Sequence, residues 1–348
     1  MIRLLIVEDS PSARALLGYI FSEDPDISIV GFAEDGAAAV EAVNILKPDV
    51  ITLDVEMPKM DGFEAARQIM EKCPTPIVIV SASYSVKDVN KAMKALEVGA
   101  LAIVPKPYGI RHPEHEASVR TLVKTVKLMA GVQVIRRYSY PRKASASVIP
   151  SVRLPHNIDI IAVGGSTGAT NVLQTILSGL PRDFPVPILI VQHMAAGFIG
   201  GFSIWLNDST GFPTSVALNG EFILPGHAYV AQEMLHMGVD ANKRIIYTKS
   251  NPENGAIPSV SFLFRSVTHV YGGSAAGVLL SGMGRDGAEE LKIMRSEGAF
   301  TIAQDKESCV VFGMPGVAME LDAAEIALPP EQIAATLMEI AHSTHQRR

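Results

Sequence analysis

The chain has 348 residues, 48% of them hydrophobic and 19% charged, with a formal net charge of −6. That length suits about two domains with ample core, and the balance excludes a disordered chain and offers no electrostatic footprint for nucleic acid. Two cysteines cannot build a disulfide framework, no apolar run reaches the ~18 residues of a membrane helix, and MIRLLIVEDS turns acidic too soon for a signal peptide, so a cytoplasmic protein without membrane insertion is expected.

Over residues 1–128 short apolar runs alternate with helical patterns. LLIV (4–7), DVITL (49–53), PIVIV (76–80) and LAIV (101–104) read as buried strands. Between them SARALLGYIF, GAAAVEAVNILK, GFEAARQIMEK and VKDVNKAMKALEVG carry apolar residues at three- and four-residue spacing, and EASVRTLVKTVKLMA closes the region. Such alternation implies right-handed crossovers and a parallel sheet covered on both faces.

Glu8 and Asp9 follow the first strand and Asp54 follows DVITL, so three acids are expected at the carboxyl edge where ligands bind. Converging carboxylates repel, and a hard divalent cation such as Mg2+ relieves them. Ser81 and Lys106 follow the next two strands and suit a phosphoryl group. Singly, each has a plainer reading as a helix cap, turn former or surface lysine. Jointly, with VEDS, DVEMPKMDG and PKP, they resemble the receiver domain of two-component response regulators. The resemblance implies a five-stranded flavodoxin-like fold and phosphorylation of Asp54 by a histidine kinase. Mg2+ would be held by Glu8, Asp9, Asp54 and the backbone carbonyl of Glu56, with Ser81 and Lys106 sensing the acyl phosphate. Receivers usually carry an aromatic residue three positions before the lysine; here it is Ile103.

Residues 129–156 read as a linker: 131–156 hold five Arg or Lys, no acid, and Pro141, Pro150 and Pro155. From 157 to 344 the alternation resumes with IDIIAV, VPILIV, AAGVLL and AFTIA, beside helical TNVLQTILSGL, PSVSFLFRSVTHV and GAEELKIMRSEG. Residues 212–248 are short and turn-rich and read as a partly antiparallel β insertion. The second half is therefore a doubly wound, mostly parallel α/β domain.

GGSTGAT (164–170) follows IDIIAV and satisfies G-x-S-x-G around Ser166. Three readings arise: a nucleophile on a sharp turn, a phosphate-cradling hydroxyl, or a helix cap. The phosphate loop fits worst, since neither G-x-G-x-x-G nor a closing Lys-Ser or Lys-Thr is present. The nucleophile turn is expected to share the capping of the next helix. His193 ends VPILIVQ and supplies a base, although a lone histidine is more often structural. Asp286, in the turn of GVLLSGMGRDGAEEL, is the orienting carboxylate, against the plainer reading of a helix cap. The same turn offers the Met283 N–H as an oxyanion donor. The order Ser, His, Asp excludes an α/β-hydrolase, which runs Ser, Asp, His.

GGSTGAT, LIVQHM, SGMGRDGA and AQDKESCVVFGMPGVA resemble the catalytic domain of chemotaxis protein-glutamate methylesterases of the CheB type. The resemblance implies hydrolysis of glutamyl methyl esters, and deamidation of glutamines, on methyl-accepting chemoreceptors. It places Ser166, His193 and Asp286 as catalytic residues, Thr167 beside the nucleophile and Met283 in the oxyanion hole, with no cofactor at the hydrolase site. The chain departs from the family pattern at Ala169–Asn171, at Ala195 and Ala196 for two prolines, and at Gln232 and Glu233 for a Pro-Gly pair. Where the family reads HRPSVD, Ala256 to Ser261 read AIPSVS, removing charged contacts to substrate. That segment and Ile103 motivate an alternative: a catalytically altered module that binds partners under phosphorylation control.

Overall fold

The computed structural model describes residues 1–81, 93, 95–97, 99–132, 134 and 157–345. Most of the helix expected over VKDVNKAMKALEVG and most of the expected linker lie outside the described residues, while Met93 and Ala95 to Glu97 are helical as expected. The chain divides into two compact units, 1–145 and 146–348.

In the first unit the strands are β1 (Ile2–Val7), β2 (Ile27–Ala33), β3 (Val50–Leu53), β4 (Ile77–Ser81) and β5 (Ala102–Pro105), in the order β2-β1-β3-β4-β5. Every pairing is parallel. The inner strands β1, β3 and β4 and the edge strand β5 were legible as apolar blocks. β2 (ISIVGFA) sits at the sheet edge with most of its residues partly exposed, and the sequence reading did not single it out as a strand. Around the sheet lie α1 (Pro11–Ser22), α2 (Gly36–Leu46), α3 (Gly62–Lys72) and α4 (His115–Ala130). Local chemistry starts two of them cleanly: the Asp35 and Asp61 carboxylates accept the Ala38 and Glu64 N–H at 2.8 and 2.9 Å. Strand order reverses between β1 and β3, so Glu8, Asp9 and Asp54 leave the sheet on either side of a switch point.

The second unit holds a seven-stranded sheet in the order β14-β13-β12-β6-β7-β9-β8, parallel throughout. Its central strands are β12 (Ala275–Leu279), β6 (Ile160–Gly165) and β7 (Ile188–Gln192). β13 (Phe300–Gln304) and β14 (Ile326–Leu328) lie to one side, β9 (Ala228–Val230) and β8 (Thr214–Val216) to the other. The expected β insertion is thus divided. β8 and β9 extend the main sheet in parallel, and only β10 (His236–Val239) and β11 (Ile245–Thr248) form an antiparallel pair. Helices α5 (Ala169–Ser178), α6 (Ile199–Thr210), α7 (Val260–Tyr271), α8 (Ala288–Ser296), α9 (Met314–Glu320) and α10 (Pro330–His345) cover this sheet. Leu263, Phe264 and Val267 of α7 and Leu291 and Met294 of α8 bury their side chains against Ile160, Ala162, Ala275 and Leu279. Each such side chain contributes roughly 1.5–3 kcal/mol on burial, so the strand ends stand on a rigid base.

Candidate active site

Ser166 is the first residue beyond β6. Its N–H donates to the Ser281 carbonyl at 3.0 Å, and its own carbonyl accepts from Gln192 Nε2 at 2.8 Å and from the Ala169 N–H at 3.0 Å. Ser281 Oγ donates to the Thr167 carbonyl at 2.8 Å, so the backbone on both sides of the hydroxyl is clamped. The two flanking glycines are steric necessities. A Cβ at Gly164 would lie 2.2 Å from a Val260 methyl, and Gly168 takes φ +85° with its absent Cβ facing Val310 at 2.5 Å. Ser166 does not cap the following helix, contrary to the sequence expectation. The cap position of α5 is Gly168, without a side-chain bond, because the turn needs a left-handed residue there. The hydroxyl is thereby left to other chemistry.

His193 follows β7, next to β6 in the sheet, and its N–H donates to the Gly165 carbonyl at 2.9 Å. Its Nε2 lies 3.0 Å from Asp286 Oδ2. A carboxylate only accepts, so Nε2 carries the proton and Nδ1 keeps the free lone pair. Asp286 comes from the loop after β12, the other neighbour of β6. The three expected residues therefore emerge from three adjacent strands.

Asp286 does cap a helix, but not the one that follows it. Gly287 is the cap residue of α8, while the Asp286 oxygens face the start of α7. Oδ2 accepts the Val260 N–H at 2.7 Å, and Oδ1 accepts Ser261 N–H at 3.0 Å, Ser259 Oγ at 2.9 Å and Asn254 Nδ2 at 3.3 Å. Burial alone would push this carboxyl up, but the His193 bond and charge, with the two amide donors, hold it well below the ordinary carboxylate range. The AIPSVS segment is accordingly largely internal: Pro258 to Ser261 are buried, and Ser259 and Ser261 bond to Asp286. The expectation of a lost substrate contact is corrected for Ser261, which is buried and whose hydroxyl accepts the Gly287 N–H at 2.9 Å.

Sequence reasoning left several supports unassigned. Gln192 bridges the carbonyls of Ser166 and His193, and Gln304 Oε1 accepts the Ser281 N–H at 2.8 Å. Glu233 accepts from the Gly197 and Ile199 N–H groups, with the shortest contact at 2.7 Å, and so anchors the loop after His193 where Ala195 and Ala196 stand. Its negative charge also sits favourably at the start of α6. In the sequence Gln192, Ser281 and Gln304 fall inside the LIVQHM, SGMGRDGA and AQDKESC motifs and Glu233 stands out only as a departure from the family pattern. Met283 follows Gly282, whose added Cβ would lie 2.7 Å from Ser166 Cβ, and the Met283 N–H has no hydrogen-bond partner among the described residues. Thr167 lies in the nucleophile turn itself.

In the first unit the carboxylates of Glu8, Asp9 and Asp54 come together, each offering an oxygen within 4.8 Å of the others. Lys106 Nζ donates to Asp54 Oδ2 at 2.7 Å and to Glu8 Oε1 at 2.8 Å. It is equally near Glu8 Oε2 but misaligned, which leaves that fully buried oxygen without a hydrogen bond. Asp54 Oδ1 accepts the Val55 N–H at 2.7 Å. Ser81 ends β4 and accepts the Lys106 N–H at its carbonyl, and Glu56 donates its N–H toward Asp54. Burial, reinforced by the Asp54 charge, pushes the Glu8 carboxyl above its ordinary 4.5 in spite of Lys106. Burial would lower Lys106, but its bonds to Asp54 and Glu8 outweigh that and raise it. Three converging carboxylates, all hard oxygen donors, fit a hard divalent cation. Because the cation needs Glu8 ionised, Mg2+ affinity of the intact chain is expected to fall with pH, beginning above 4.5. Calorimetric titration across a pH series checks this, and an affinity that holds steady down to 4.5 would contradict it.

Fold and geometry define the class: a response regulator whose second α/β unit carries serine, histidine and aspartate on adjacent strand ends. Family models match in the same two places, the response regulator receiver domain over residues 4–115 and CheB methylesterase over 161–337. The chain belongs to the CheB methylesterase family and carries an amino-terminal receiver domain. It is 52% identical to protein-glutamate methylesterase/protein-glutamine glutaminase 1 of Syntrophus aciditrophicus, covering 99% of both chains. Identity to the protein-glutamate methylesterase/protein-glutamine glutaminase of Nitrosospira multiformis is 50%, covering 98% of this chain and 97% of that one. The crystal structure of the Thermotoga maritima CheB methylesterase catalytic domain aligns with TM-score 0.52 and 34% identity, covering 53% of this chain and 99% of that one. No described helix is long and apolar enough to cross a membrane.

Proposed function

We propose that this protein is a phosphorylation-regulated serine hydrolase that demethylates glutamyl methyl esters, and deamidates glutamines, of chemoreceptors in the cytoplasm. The observation that carries the reading is the His193–Asp286 bond on strand ends flanking the clamped Ser166 turn. Ser166 Oγ attacks the side-chain carbonyl carbon while His193 Nδ1 takes its proton. Asp286 fixes the tautomer and stabilises the imidazolium. The Met283 N–H receives the oxyanion, with Thr167 adjacent in the turn. His193 returns the proton as the C–O or C–N bond breaks, so methanol or ammonia leaves and an acyl-serine remains. Water then attacks that ester, giving its proton to His193, which returns it to Ser166 Oγ as the acyl C–O bond breaks, and a glutamate and the free serine result.

Residues 1–128 form the regulatory receiver, 129–156 a tether and 157–344 the catalytic domain in this reading. Asp54 accepts the phosphoryl group from a histidine kinase. Glu8, Asp9, Asp54 and the Glu56 carbonyl would hold Mg2+, which when bound neutralises charge on the phosphoryl oxygens. Lys106 pairs with the acyl phosphate in place of the carboxylates it now bridges, and Ser81 donates a hydrogen bond to it. The test is methanol release from methylated receptor by the intact chain, with and without a small phosphodonor and Mg2+. Release stimulated by about tenfold is expected, and Asp54→Asn should lose that stimulation. No methanol from any methylated receptor counts against the substrate, and stimulation persisting in the variant counts against Asp54.

A further inference from the structure

A second histidine lies behind the candidate active site and takes no part in the chemistry above. His236 opens β10 and is fully buried. Its Nε2 lies 3.1 Å from the Asn251 carbonyl, an acceptor, so this nitrogen carries the proton. Nδ1 is then the acceptor, and it receives the Ser259 N–H at 3.2 Å. The ring also stacks on Phe262, with centroids 5.0 Å apart.

Ser259 is the cap residue of α7, and three of the donors that hold Asp286 from behind stand on it or on the two residues that follow it. Ser259 Oγ donates to Asp286 Oδ1, and the next two amides, Val260 and Ser261, donate to Oδ2 and Oδ1. Asp286 in turn holds His193 Nε2. A continuous path of hydrogen bonds thus runs from Asn251 through His236, Ser259 and Asp286 to His193. A buried N–H must find an acceptor. If Nδ1 were removed, the Ser259 peptide would turn toward another partner and carry the Asp286 donors with it.

We infer that His236 is a positioning residue for the hydrolase: by accepting the Ser259 N–H it fixes the donors that hold Asp286 against His193. It is buried, so it touches no substrate and its effect must travel through Asp286. The inference rests on the catalytic assignment proposed above, and its test uses a readout independent of the natural substrate.

Three variants of the full-length chain separate the bond from mere core filling. His236→Asn puts an amide oxygen near the position of Nδ1 and can keep the Ser259 bond while losing that to Asn251. His236→Gln does the reverse. His236→Phe keeps ring volume against Phe262 and loses both, which guards against a packing failure in the first two. The measurement is the rate at which a fluorophosphonate labels Ser166, resolved into a limiting rate and an affinity and expressed per folded molecule. The Gln and Phe variants should lose about tenfold in limiting rate with affinity unchanged, as misplacement of a catalytic group predicts, while Asn stays near wild type. Equal limiting rates in all three, whether intact or equally reduced, would overturn the inference. Labelled wild type that releases no methanol would count against the proposed substrate alone. Wild type that is not labelled overturns the catalytic assignment and this inference with it.

Discussion

Ser166→Ala should reduce methanol release about 10^5- to 10^6-fold while leaving the protein folded. The kinetic loss follows from removing the only attacking atom: His193 and Asp286 would remain bonded, but water would have to replace a positioned hydroxyl. The folding expectation comes from where the turn is held. Its bonds use the Ser166 N–H and carbonyl, which reach Ser281 and Gln192, and alanine keeps both. Substitution of a partly exposed side chain without structural bonds shifts stability by less than about 0.5 kcal/mol. Thermal unfolding of the variant should therefore match wild type, and fluorophosphonate labelling should vanish. Methanol release persisting near the wild-type rate would remove Ser166 from the mechanism.

Asp286→Asn should damage catalysis and stability together, which distinguishes it from the serine variant. Five donors converge on the Asp286 carboxylate: His193 Nε2, the Val260 and Ser261 amides, Ser259 Oγ and Asn254 Nδ2. An amide offers one accepting oxygen and presents its NH2 to donors at the other. If the oxygen satisfies Ser259 and Ser261, the NH2 faces His193 Nε2 and forces its proton to Nδ1, the nitrogen needed as base. That wrong tautomer is expected to lower kcat by about ten-thousand-fold. The buried Val260 N–H left facing a donor should cost about 3 kcal/mol of stability, read as a lower denaturation midpoint. A variant of wild-type stability would mean that Asp286 does not anchor α7.

The same carboxylate sets an acid limit. Its folded-state pKa lies below the ordinary 3.8, so its stabilisation is complete above that value and lost only as pH falls beneath it. Asp286 stays ionised through the neutral range and contributes no ionisation to the pH–rate profile there. Acid denaturation, rather than the activity profile, is where its protonation should be seen.

Much of this molecule was legible from local pattern. LLIV, PIVIV and IDIIAV are short apolar blocks because strands of a parallel sheet are buried on both faces, and the residues that follow them must emerge at one edge. That single rule located Glu8, Asp9, Asp54, Ser166 and His193. It worked less well for β2, whose ISIVGFA was not singled out, and for β8 and β9, three residues each and too short to declare that they extend the main sheet.

What the sequence alone determined is the set of chemical groups and their order along the chain: two α/β units, acids and a lysine in the first, Ser–His–Asp in the second, small residues where Val260 and Val310 press on the nucleophile turn. The tertiary structure decided which partners those groups meet. Asp286 looked like the cap of its own helix, yet it caps α7, whose first residues lie 25 to 27 positions earlier. Ser166 looked like a shared cap and is relieved of that role by Gly168. His236 carried no signal at all until β10 folded it against Ser259, 23 positions away. Periodicity is a property of neighbouring residues and survives in the sequence. A hydrogen bond between distant segments depends on how sheet and helices pack, which no local pattern contains.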